Sequence, residues 1–316
     1  MARSTLIAGR LADHPLWARA LRAEEPAAHL LLPVIVSAAV DDRERVADAG
    51  GLERLSITEL VREARRASQQ GLAGLLLFGA TDRKDETAIL ASERDHVVVR
   101  AIRAVKQAVP DLALATDVCV CAYTAHGQCV LFGNGGADVA GTLERLQEIA
   151  IVHAEAGADL ILPSGMLDGT VAAIREALRS DHAATPVAAM AKLESALYST
   201  HRVAVGAVPI AERAVPLLST DGHGAARARV QRDLAAGADA VVVKPGLPAL
   251  DLVHLLAATT DRPLISFHTA DEHIALAAAA EMLDSAAAER ESIAASRRAG
   301  ASLVITYGPW SVTAAA

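Results

Sequence analysis

The chain has 316 residues, 52% of them hydrophobic, enough to bury a large core as one or two domains. Its net charge is −8 and its basic residues are scattered, so nothing in it suggests a surface for a phosphate backbone. The opening MARSTLIAGRLADHPLWARAL lacks the apolar core and small-residue cleavage site of a signal peptide, and no apolar run approaches the roughly 18 residues of a membrane span. A soluble, cytoplasmic protein is expected.

Residues 1–28 precede any strand-like run and read as an N-terminal arm. HLLLPVIV, from His29, is the first of eight short apolar runs. Helical periodicity over Ile57–Gln69 leads to LAGLLLFG at Leu72, and Val97–Ala108 leads to LALATDVCV at Leu112. Leu143–Ala156 precedes ADLILPS at Ala158, and PVAAMAK follows at Pro186. Ala225–Ala236 precedes ADAVVVKP at Ala238; PLISFH at Pro263 and ASLVITY at Ala301 complete the series. Continuous rather than alternating hydrophobicity indicates strands buried on both faces, as in a parallel sheet. Strand–helix alternation repeated eight times favours an α/β fold of the (β/α)8 TIM-barrel type over an open doubly wound sheet. The connection after Lys192 is too long for an ordinary loop, and residues 193–223 are expected to form an active-site lid. No low-complexity linker interrupts the chain, so residues 1–316 are read as a single domain.

Polar residues cluster where the apolar runs end: Asp117, Cys119 and Cys121 at the third, Ser164 at the fourth, Lys192 at the fifth, Lys244 at the sixth and Tyr307 at the eighth. In a barrel those ends share the face that carries the active site. Either lysine could simply snorkel to solvent. At the mouth of a packed barrel, however, burial and a neighbouring ammonium would both lower a lysine pKa and free an amine for attack on a carbonyl carbon.

Three cysteines in one short segment, Cys119, Cys121 and Cys129, do not make a disulfide framework. Cys119 and Cys121 would point to one face of an extended strand, and Cys129 can return after the loop from Tyr123 to Gln128. Three thiolates suit one zinc with an open fourth position, the catalytic kind of site; reduced core cysteines are the alternative. His126 is read as a loop histidine with a hydrogen-bonding role, not as a fourth ligand.

The segments TDVCVCAYTAHGQC, LFGATDRKDE, HAEAGADLILPSGMLDGTVAAIREAL, AKLESALYSTHR, ADAVVVKPGLPALD and RRAGASLVITY resemble those of the porphobilinogen synthases (5-aminolevulinate dehydratases), from about His29 to Tyr307. The resemblance implies a hydro-lyase of porphyrin and heme biosynthesis that condenses two 5-aminolevulinate molecules into porphobilinogen with loss of two waters. It implies that Lys244 holds the P-side substrate as a Schiff base and that Lys192 engages the A-side substrate. Cys119, Cys121 and Cys129 would hold the zinc, and Asp117 and Ser164 would lie near the A-side amino group. Arg202 and Arg213 would grip the A-side carboxylate from the lid, and Tyr307 would bind the P-side carboxylate. A homo-oligomer, an octamer by the same resemblance, is implied as well.

Several positions depart from the family's pattern. Leu217 stands for a glutamine that assists the A-side carboxylate, and Gly165 for an aspartate after Ser164. Phe267, His268, Thr269, Ala270 and Asp271 replace Tyr-Gln-Val-Ser-Gly, so the serine partner of Tyr307 becomes Ala270. Arg229 stands where many bacterial members carry a glutamate for an allosteric magnesium, and no such magnesium is expected here. These changes leave open a relative that condenses a different amino-keto acid, or a non-catalytic zinc-binding one. A metal-storage barrel would not need both lysines, and an aldolase-like barrel would not need the cysteines.

Overall fold

The computed structural model describes residues 8–314. Among the described residues, eight parallel strands, numbered in chain order, form the wall of the main sheet: β1 (Leu30–Ser37), β2 (Gly74–Ala80), β3 (Ala113–Val118), β4 (Leu160–Pro163), β5 (Ala188–Lys192), β6 (Ala240–Lys244), β7 (Leu264–Phe267) and β8 (Leu303–Ile305), with the short strands Arg43–Arg45 and Glu53–Leu55 attached at β1. Each pairs with the next, β8 pairs back to β1, and a bridge between Ile161 and Val187 joins β4 to β5. The sheet is therefore a barrel, and helices such as Ile57–Gln69, Val97–Ala108 and Ser285–Ala299 lie between successive strands.

The continuous apolar runs resolve into two cores by residue parity. Leu31 and Ile35 of β1, Ala113 and Ala115 of β3, Ala188 and Met190 of β5, and Ala240 and Val242 of β6 belong to the inner core. Their neighbours Leu30, Leu32, Leu114, Val241 and Val243 pack outward with helix residues Leu60, Ile102 and Leu252. Both faces are covered, so hydrophobicity never alternates although side-chain direction does. Continuing the inner parity beyond each strand's last apolar residue gives Asp117, Lys192, Lys244, Phe267 and Tyr307. The barrel thus aims these five side chains into its upper end.

The lower end is plugged by the arm, whose first seven residues lie outside the described residues. Two short helices, Arg10–Asp13 and Pro15–Arg22, place Leu11 and Trp17 fully out of solvent in the inner core. The Trp17 indole N–H donates to the Asp159 carbonyl at 2.8 Å, and Arg10 pairs with Asp239 at 3.1 Å. Asp159 and Asp239 immediately precede β4 and β6. The bulky plug complements inner strand positions that are largely alanine.

Strand boundaries bring one correction. The third run extends to Val120 in sequence, but β3 ends at Val118, so Cys119 and Cys121 lie in the turn that leaves it rather than on an extended strand. A hydrogen bond from Tyr123 N–H to the Val120 carbonyl at 3.0 Å closes that turn. The helix expected from Leu143 begins earlier, at Val139, because Asp138 caps it by accepting from the Gly141 N–H at 2.9 Å. Among the described residues, no helix is long and apolar enough to cross a membrane.

Candidate active site

Lys192 and Lys244 are register partners at the ends of β5 and β6, and both are buried. They line a cavity of about 50 Å³ with Asp117, Cys121, Cys129, Ser164, His201, Arg202 and Phe267. Burial, and next the Lys192 charge, bring Lys244 down to about 7, while Asp117 pulls the other way. Burial also lowers Lys192, opposed by Cys129. Asp117 is pushed up to about 6 by burial, against the Ser164 hydroxyl, and its Oδ1 has no hydrogen-bond partner. One cavity therefore holds an amine that is partly neutral near pH 7 and a carboxyl poised to exchange protons.

Aromatic rings shape this space. The Lys244 Nζ lies 3.7 Å from the Phe267 ring centre and 5.5 Å from that of Tyr198; the Lys192 Nζ lies 4.9 Å from Tyr198. The Tyr198 hydroxyl donates to the Leu193 carbonyl at 2.8 Å, which fixes the ring over both ammonium groups. The turn after Lys244 passes so close to His268 that a Cβ on Gly246 would meet its Cδ2 at 2.2 Å. Glu272 fastens that turn, accepting from the Gly246 and Leu247 N–H groups at 3.2 and 2.7 Å.

The three cysteines converge: their sulfurs all lie within 4.8 Å of one another, with Cys119 and Cys121 at 3.3 Å. Metal–thiolate bonds of about 2.3 Å in a tetrahedron set sulfurs roughly 3.8 Å apart, so the triad fits a metal ion. The thiols of Cys119 and Cys121, with Lys192 and Arg202, hold Cys129 well below the usual thiol range. His126 is not in the cluster; its Nδ1 accepts from the Gln128 N–H at 3.1 Å.

Residues 193–223 fold back over this end. They carry the short helix Ser199–Ala204 and return to β5, where Leu218 bridges Leu193. Gln128, in the cysteine loop, donates to the Ala211 and Glu212 carbonyls at 3.3 and 2.9 Å and accepts from the Ala214 N–H at 3.2 Å. Arg202 and Arg213 line a small recess beside the cavity with Cys129, Ser164, Lys192 and Leu217. Arg202 is buried and donates to the Ala207 carbonyl at 3.0 Å.

Tyr307 is not on the cavity wall itself; its hydroxyl lies 3.0 Å from the Nδ1 of His201, which is. Sequence reasoning did not single out His201, Tyr198, Phe78 or Gln128. One signal was available: of six Phe and Tyr residues in the chain, Phe78, Tyr123, Tyr198, Phe267 and Tyr307 all gather at or beside this cavity. A larger groove of about 530 Å³ lies beside β1, but its Arg43 is already engaged by Glu53, Glu59 and Glu63. Tyr307 lines that groove, whereas Lys192, Lys244, Asp117, Cys121 and Cys129 line the smaller cavity.

Arg229 is buried. It donates to Asp233 at 2.8 Å, to the Met166 and Leu167 carbonyls at 2.8 and 3.2 Å, and to Asp168 at 2.9 Å. The guanidinium is thus held by two carboxylates and two carbonyls.

A sequence model of the family described as delta-aminolevulinic acid dehydratase matches residues 10–315. The delta-aminolevulinic acid dehydratase of Macaca fascicularis is 36% identical over 89% of this chain and 88% of its own. Those of Synechococcus elongatus and Escherichia coli are 37% and 35% identical, covering 84% and 88% of this chain and 84% and 87% of theirs. The crystal structure of the Toxoplasma gondii delta-aminolevulinic acid dehydratase (porphobilinogen synthase), in complex with the reaction product porphobilinogen, superposes with a TM-score of 0.86 at 28% identity over 99% of this chain and 91% of that one. The chain belongs to the delta-aminolevulinic acid dehydratase family.

Proposed function

We propose that this protein is a porphobilinogen synthase, condensing two molecules of 5-aminolevulinate to porphobilinogen with loss of two waters. The observation that carries this reading is the register pairing of two buried lysines in one cavity, beside a thiol triad and two lid arginines. Two amines suit two ketones, and two arginines suit a carboxylate.

In this reading the neutral Lys244 amine adds to the ketone of the P-side substrate, and loss of water gives an imine. The amine is available because desolvation and Lys192 disfavour its charged form. Lys192 engages the A-side ketone, whose carboxylate is met by Arg202 and Arg213. Asp117, with Ser164, holds the A-side amino group and carries protons, as a carboxyl near pKa 6 can do in both directions. Tyr307 binds the P-side carboxylate. Cys119, Cys121 and Cys129 would hold one zinc, which when bound polarises oxygen atoms of the A-side substrate as a Lewis acid. Residues 193–223 act as the lid that excludes water, within a single domain whose first 28 residues form the arm, and the working form is a cytoplasmic homo-oligomer. Incubation of the purified protein with 5-aminolevulinate alone, followed by colorimetric detection of the pyrrole, tests the reading. Pyrrole formation is expected; its absence in zinc-loaded protein would overturn the assignment.

A further inference from the structure

His201 stands between the Lys244 cavity and Tyr307. It occupies the third position of the helix Ser199–Ala204 and is partly buried, its ring edge-on to Phe78 with the centroids 4.4 Å apart. Its Nδ1 lies 3.0 Å from the Tyr307 hydroxyl, and it shares the cavity wall with Lys244. Asp271, two residues into the helix Ala270–Ala278, fixes the helix that carries it. Its Oδ1 accepts from Ser199 Oγ at 3.0 Å, from Thr200 Oγ1 at 2.6 Å and from the Thr200 N–H at 3.4 Å. The neighbouring Ala270 is buried and carries no polar side-chain atom.

Desolvation and the surrounding Lys244, Lys192 and Arg202 charges hold the His201 imidazole neutral, so it has a single N–H. The pair with Tyr307 then has two forms. If Tyr307 donates, its only proton is spent on the imidazole, and it offers an incoming carboxylate lone pairs alone. If Nδ1–H donates, the phenolic proton is left free, and its acidity is raised by the hydrogen bond its oxygen accepts. Only the second form can bind an anion.

We propose that His201 is a positioning residue for substrate binding: its Nδ1–H donates to the Tyr307 oxygen and turns the phenolic proton toward the carboxylate of the keto acid held at Lys244. This rests on the reading of Lys244 given above. The Asp271 latch sets the imidazole at hydrogen-bonding distance, and the pair supplies the P side with polar grip that Ala270 cannot.

The test uses 4-oxopentanoate, which has the ketone and carboxylate of the substrate but no amine. Half-saturation of its borohydride-trapped adduct on Lys244 is measured in the full-length protein. Loss of a hydrogen bond that organises a charged contact should raise half-saturation about tenfold or more in His201→Ala. The saturating trapping rate should change little. His201→Asn, which keeps a donor near the Nδ1 place, should recover most of the affinity; His201→Gln, with its donor near the Nε2 place, should not. In a Tyr307→Phe background, His201→Ala should add nothing. The Asn and Gln variants preserve the readout should His201→Ala fold poorly. Unchanged half-saturation in His201→Ala, rescue by Gln equal to that by Asn, or an undiminished effect without the Tyr307 hydroxyl would each overturn the proposal. Failure to trap any adduct in the wild-type protein would instead overturn the reading of Lys244, and this proposal with it.

Discussion

Lys192 and Lys244 lie side by side as register partners on the adjacent strands β5 and β6, so that two potential ammonium groups share a buried cavity. Parallel pairing at matched strand ends makes this a property of the barrel rather than of any flexible loop. The consequence is electrostatic: each charge disfavours the other, and burial amplifies both effects.

The pairing predicts a pH signature. Lys244 titrates at about 7, so its trapping rate with 4-oxopentanoate should rise as pH increases through that value and then level off. Removing the neighbouring positive charge with Lys192→Met favours protonated Lys244, raises its pKa and should move the midpoint to higher pH. A midpoint that stays in place would show that the Lys192 charge does not reach Lys244.

The thiol triad predicts metal content. Elemental analysis of the purified protein should find about one zinc per chain, and the triple Cys119→Ser, Cys121→Ser, Cys129→Ser variant should lose it along with pyrrole formation. Full zinc retention in that variant would place the metal elsewhere.

Arg229 predicts both a stability and a regulatory result. Arg229→Ala should cost about 3–5 kcal/mol in denaturant unfolding, because it strands the buried Asp233 carboxylate. Magnesium should not stimulate the wild-type enzyme through this place, since a guanidinium already occupies it. Saturable magnesium activation that disappears in Arg229→Ala would contradict this.

The plug at the lower end predicts stability without a direct role in chemistry. Trp17→Ala should cost about 3–5 kcal/mol, through the cavity left in the inner core and the loss of the bond to the Asp159 carbonyl. Thermal denaturation reads this, and the turnover of the folded fraction should stay close to wild type. A change in melting temperature of under a degree would mean that the arm is not seated in the barrel.

Much of this arrangement is legible in the amino-acid sequence. The eight apolar runs foretold the strands, and the inner parity that carries Ala188 and Met190 to Lys192, or Ala240 and Val242 to Lys244, is written in the residue count. The end of β3 was not legible, because DVCVCA stays apolar where a turn closes it; hydrophobicity alone cannot separate a strand from a buried turn. His201 and Tyr198 were hidden for a different reason. They lie in the segment that follows Lys192, and only its return to β5 through Leu218 brings them to the lysines' cavity. Asp271 could be noted as a departure from a family pattern, but not as a latch, since its partners Ser199 and Thr200 lie about 70 positions away. Contacts of that separation are set by the closed barrel, not by local pattern.

Borohydride reduction in the presence of 5-aminolevulinate, followed by peptide mass spectrometry, tests most directly whether Lys244 is the nucleophile. The reduced adduct is expected on the peptide that carries Lys244, and Lys244→Ala should abolish both adduct and turnover. Lys192→Ala should abolish turnover while leaving the Lys244 adduct in place. An adduct on Lys192 alone, or on neither lysine, would contradict the account.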